Sequence, residues 1–145
     1  MMKLVSAALF ALVLAACASI EPVAYTPNPG RIADPRAEAR ELILANTVGG
    51  CIAEPEFSET MLIVKFVCTG DSSGVGNAVV RFNEVETITL QQSGEWYRVR
   101  VHHTGGAPDF DWTSNSLADM QRLADAFTAL SSAGPSPAPV GAATL

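Results

Sequence analysis

The sequence is short of basic residues, cysteine and histidine, and each shortage removes a class of function. Nine Lys and Arg stand against fifteen Asp and Glu in 145 residues, for a formal net charge of -6. The basic residues are dispersed, so nothing favours a surface for nucleic acid or other runs of phosphate. The same balance argues against attraction to anionic lipid head groups. The three cysteines contain no C-x2-C pattern, so they give no basis for a structural zinc site. No serine has a Gly-x-Ser-x-Gly context, and the glycine-rich stretch Gly70-Asp71-Ser72-Ser73-Gly74-Val75-Gly76 lacks the Lys and following helix of a phosphate loop. The expectation is a non-enzymatic chain with no metal and no cofactor.

What is present is concentrated at the start. Met1-Met2-Lys3 is followed by an apolar run from Leu4 to Leu14. That run falls short of the about 20 residues a bilayer span needs, but it suits the apolar region of a signal peptide. It ends in Leu14-Ala15-Ala16-Cys17, which resembles a bacterial lipobox: an aliphatic residue, two small residues and a cysteine. The resemblance implies removal of residues 1–16 and acylation at Cys17. Ala18 follows rather than Asp, which resembles the pattern of lipoproteins sorted to the outer membrane and facing the periplasm. Ala16-Cys17-Ala18 also fits ordinary secretory cleavage, which would leave a soluble periplasmic protein. Without residues 1–16 the chain loses Lys3, and the formal charge becomes -7 over 129 residues, enough for one core.

Residues 17–33 hold three prolines and no periodicity, and read as a lipidated cysteine followed by a flexible tether. Residues 132–145 are rich in Pro, Ser and Ala and read as a disordered tail. Between them, residues 34–131 form a single α+β domain. Asp34-Pro35 supplies a helix cap and a first-turn proline, with Ala39, Leu42, Ile43 and Val48 as the apolar stripe and Gly49-Gly50 as the stop.

The period then changes from helical to alternating. The segments 51–57 and 61–68 read as strands. Paired antiparallel through a turn at Glu59-Thr60, they place Phe57 opposite Leu62, Ala53 opposite Phe66, Glu54 opposite Lys65, and Cys51 opposite Cys68. One register satisfies burial, charge and sulfur together, and predicts a Cys51–Cys68 disulfide in an oxidising compartment. Strands follow over 75–82 and 85–92. Ser93-Gly94 is expected to turn the chain into 96–101, with Ile88 opposite Val99, Leu90 opposite Tyr97, Thr89 opposite Arg98 and Thr87 opposite Arg100. A short strand at Phe110-Asp111-Trp112 leads to a helix capped by Ser116, with Asp119 at capping-box distance. Leu117, Met120, Leu123, Ala124, Phe127 and Leu130 give that helix one apolar face for the sheet.

The expected order is helix, about six antiparallel strands in a meander, then a helix packed on the sheet. Within it, Val79-Val80-Arg81-Phe82-Asn83-Glu84-Val85-Glu86-Thr87-Ile88 resembles a recurring pattern of bacterial pleckstrin-homology-like domains: a strand ending in Phe, a bend, and an Ile or Val opening the next strand. The resemblance covers residues 51–131 and implies a bent sheet or partial barrel plugged by the last helix. The family is functionally diverse, so it leaves the activity open.

His102 and His103 are followed by Asp109 and Asp111, but adjacent strand residues point to opposite faces and cannot easily grip one ion. Trp96 beside Arg98 and Arg100 is the best candidate contact patch. The sequence therefore suggests a membrane-anchored interaction module of the cell envelope, docking an unidentified envelope protein through a strand edge or the Trp96/Arg98/Arg100 face. The alternative is a carrier of a small ligand or lipid in the hollow of the curved sheet, against which the bulky inward set Phe66, Phe82, Tyr97, Phe110 and Phe127 argues.

Overall fold

Asp34 and Pro35 start the first helix as expected. In the computed structural model, which describes residues 19–47, 50–70 and 73–133, the Asp34 carboxylate accepts from the Arg36 and Ala37 amides and α1 runs Pro35–Ala45. Ala39, Leu42 and Ile43 are its buried face. Val48 and Gly49 lie outside the described residues, as do Cys17, the whole lipobox and the tail from 134 onward.

The fold is α+β: the described residues form two helices and seven strands in two antiparallel sheets that do not close into a barrel. Strands β2 (Cys51–Phe57), β3 (Met61–Cys68) and β4 (Gly74–Arg81) form one sheet in the order β2-β3-β4. The β2–β3 register is the expected one, with Cys51 opposite Cys68, Ala53 opposite Phe66, Glu54 opposite Lys65 and Phe57 opposite Leu62. Lys65 reaches diagonally to Glu56 rather than straight across to Glu54.

A short 3-10 turn at Phe82–Glu84 ends this sheet and turns the chain into the second, so the meander divides instead of bending as one surface. Strands β5 (Val85–Ser93), β6 (Trp96–His103) and β7 (Phe110–Ser114) pair in sequence, and β1 (Glu21–Pro22) adds to the free side of β5. The β5–β6 register is two residues from the expected one: Ile88 faces Val101, Leu90 faces Val99, Thr89 faces Arg100 and Thr87 faces His102. The turn sets this shift. A two-residue hairpin favours glycine at its first central position, where φ is positive. Gly94 takes that place at φ 60, so the loop is Gly94-Glu95 and Ser93 faces Trp96. A shift of two preserves the faces, so Leu90, Val99 and Val101 still point into the core.

Helix α2 (Leu117–Ser132) is capped by Ser116, whose hydroxyl accepts from the Asp119 amide. It packs on the second sheet, against α1, and against a 3-10 turn at Pro29–Arg31. Burial therefore extends beyond the single apolar face to Asp125 and Ala126. Phe110 meets Phe127 edge-on at 5.4 Å and fills the space between sheet and helix.

The stretch read as a flexible tether requires correction. From Glu21 onward it is part of the domain: Glu21 and Pro22 pair with Gln92 and Gln91, and the Val23 amide donates to the Leu90 carbonyl at 2.8 Å. Tyr25 and Arg31 then reach α2. Prolines break periodicity without preventing an extended segment from lying on an edge strand, where a missing amide costs no ladder bond.

Candidate functional site

Among the described residues, strands β4 and β7 each pair on one side only, being terminal strands of their sheets. The chain brings them side by side, and a cleft of about 610 Å³ lies between them. Its walls are largely apolar: Phe66 of β3, Ala78 and Val79 of β4, Trp112 of β7, Pro108, and the Cys51–Cys68 pair. The two sulfurs are 2.01 Å apart, at disulfide-bonding distance, on directly opposed residues.

One histidine closes the end where the sheets converge. His103 is buried; its Nε2 accepts from the Arg81 amide at 3.1 Å, and its Nδ1 stands 2.9 Å from the Pro108 carbonyl. These contacts define the neutral imidazole with the proton on Nδ1. The ring thereby ties the last residue of β4 to the loop before β7. Phe66 owes its position to Gly76, its cross-strand partner: a Cβ at residue 76 would overlap the Phe66 ring, so glycine provides the bed on which that wall lies.

Several polar groups near the cleft are already engaged, while the buried Trp112 Nε1 has no hydrogen-bond partner among the described residues. Asp111 accepts two bonds from the Arg100 guanidinium, each at 2.7 Å. Those bonds hold its carboxyl below the usual range, against the opposing effect of burial. His102 stands 3.0 Å from Asp109, on the opposite face of β6 from His103, as strand alternation requires. Among the described residues no group of three His, Cys, Asp or Glu is placed to hold a metal ion. The two histidines do not converge on a common point, and His103 has both ring nitrogens in use.

Trp96, Arg98 and Arg100 do share the outer face of β6, but the cations are spent across the strands. Arg98 donates twice to the Gln91 side-chain oxygen, and Arg100 clamps Asp111. Trp96 alone stands out, 47% exposed at the start of the strand.

A cluster absent from the sequence expectations anchors the N-terminal segment. Asp125, fully buried in α2, accepts from the Tyr25 hydroxyl, the Asn28 amide and Arg31 Nη2, each at 2.6 Å. Burial first, then the hydrogen bond and charge of Asp125, push the Tyr25 hydroxyl above its ordinary pKa. The available signal was an acid between Ala124 and Ala126 in an otherwise apolar helix stretch, a placement that calls for partners.

No described helix is long and apolar enough to cross a membrane. Comparison with protein-family models, with curated proteins and with solved structures finds no match to this chain.

Proposed function

We propose that this chain is a non-enzymatic lipoprotein of the bacterial cell envelope, anchored through Cys17 in the outer membrane and facing the periplasm. Its cleft takes an extended segment of an envelope protein partner. The observation that carries this reading is the pair of unpaired strand edges, β4 and β7, flanking one apolar cleft. An open edge offers backbone donors and acceptors to an incoming strand, and the cleft offers side-chain pockets at alternate positions. The Leu14-Ala15-Ala16-Cys17 motif supports the anchor, and a Cys51–Cys68 bridge suits an exported chain. A second reading, a carrier of a small apolar ligand or lipid, is favoured by the cleft volume, which falls within the roughly 300–1,000 Å³ of small-molecule sites.

A photo-crosslinking amino acid at Val79 in living cells tests the docking reading. The expected product is a covalent adduct with one envelope protein, mapped to a segment with apolar residues at every second position. Gly76→Ala, which displaces Phe66, should reduce that adduct, while the same crosslinker at exposed Thr87 should give none. An unchanged adduct in folded Gly76→Ala protein, or no adduct at Val79, would reject the docking site. A defined small molecule retained in native mass spectrometry would favour the carrier.

A further inference from the structure

We infer that the β5–β6 hairpin tip, with Trp96 and Ile20, rests on the surface of the bilayer that holds the lipid anchor. The inference rests on the reading of Cys17 as the acylated residue. Glu21 is the first residue of β1 and pairs with Gln92, next to the residue that opens the hairpin turn. The chain therefore enters the domain beside that tip and runs away from it toward Leu90.

Only residues 18–20 separate Cys17 from Glu21. At no more than about 3.6 Å per residue, the two Cα atoms lie within about 14 Å of each other, however the link is arranged. Slack further along the chain is not available, because β1 is paired with β5 and Tyr25, Asn28 and Arg31 are bonded to Asp125. An anchored chain then holds this end of the domain nearest the membrane.

The side chains at this end suit that place. Ile20 is 57% exposed and Trp96 is 47% exposed, and Trp96 stands opposite Ser93, one strand from Gln92. An indole has an apolar body and one polar N–H, which is why Trp gathers at head-group level. Glu95 lies in the turn itself and Glu21 beside it, and both disfavour an anionic surface, so the partner is a zwitterionic lipid surface.

The test uses the full chain purified from its own membranes and returned to phosphatidylcholine vesicles brominated near the head-group end of the acyl chains. Trp112→Phe leaves Trp96 as the sole indole. Its emission should lose most of its intensity to the bromines and shift to the blue. A control carrying Trp96→Phe, Trp112→Phe and Thr87→Trp, five residues from Gln92 along β5 and about 17 Å away, should keep its emission. Intact mass and vesicle flotation are read on the same samples. An acylated, floating protein whose Trp96 is unquenched overturns the seat and leaves the anchor standing. A chain without acyl groups that does not float overturns both. Equal quenching at Trp96 and at position 87 overturns the orientation.

Discussion

Replacing Asp125 by asparagine removes one charge and almost no volume, and it isolates what holds the N-terminal segment to the domain. In the wild type, Oδ1 accepts from the Tyr25 hydroxyl and the Asn28 amide, while Oδ2 accepts from Arg31. Asparagine keeps one oxygen for the first two donors. Hydrogen bonds to a charged acceptor are roughly twice as strong as neutral ones, so each of these two should weaken by about 1 kcal/mol. The new amide group faces the guanidinium of Arg31, donor against donor. Arg31 is 55% exposed and can turn to water, which makes that loss small. The sum is about 2–3 kcal/mol, and Asp125→Ala, which removes both acceptors and leaves a void, should cost about 4 kcal/mol.

A buried charge is expensive, and neutralising one can be harmless when apolar groups replace the whole network. Here only one member changes, and Tyr25 and the Asn28 amide keep their demand for an acceptor. Urea unfolding with linear extrapolation measures the cost, and hydrogen exchange across residues 21–31 measures where it falls. The segment should exchange faster than the core strands in Asp125→Asn protein. A change below about 0.5 kcal/mol with wild-type exchange over 21–31 would show that the carboxylate is not what holds the segment.

Further outcomes follow from the same geometry. Tyr25 has a raised pKa, so it favours the folded state while protonated, and that contribution is lost as pH climbs past 10.0 and through the raised value; Tyr25→Phe should flatten this alkaline decline in a pH series of urea midpoints. Asp111 has a lowered pKa, so its contribution is complete above about 4 and disappears as pH falls through the depressed value. Because its side chain is 37% exposed, Asp111→Asn should remove less than about 1 kcal/mol at pH 7 and shallow the acid limb. Opening the Cys51–Cys68 link, which spans 17 residues, should cost roughly 3 kcal/mol by loop-closure entropy; equal urea midpoints with and without reductant, in protein whose thiols are shown to be free, would contradict this.

The β2–β3 hairpin was legible because independent constraints coincided. Apolar alternation, the Glu54/Lys65 pair and the Cys51/Cys68 pair select one register, and a slip of one residue breaks all three. The β5–β6 hairpin offered alternation alone, which is unchanged by a slip of two. Only the φ demanded of Gly94 distinguishes the registers. The helix caps at Asp34 and Ser116 were legible because their bonds are local. The clasp at Asp125 was not, because Tyr25 and Arg31 lie 100 and 94 residues away from it in sequence. The cleft was hidden for a related reason. It exists because the chain ends one sheet at Arg81 and begins another at Val85, leaving β4 and β7 unpaired on facing sides.

These two hidden features bear on each other. A long, free tether would let the cleft search the periplasm, whereas the Asp125 clasp and the β1–β5 pairing remove that freedom. If Cys17 is anchored as proposed, the domain's reach is set by its own size, a radius of gyration of about 13 Å for a unit of roughly one hundred residues, rather than by linker length. A partner docking at β4 and β7 as proposed would then have to present an extended segment within a few tens of ångströms of the membrane, roughly one domain diameter. Loss of the clasp in Asp125→Asn protein should therefore alter which proteins crosslink at Val79 even where the cleft itself is intact. A displaced set of adducts would tie the clasp to partner choice, and an identical set would confine it to stability.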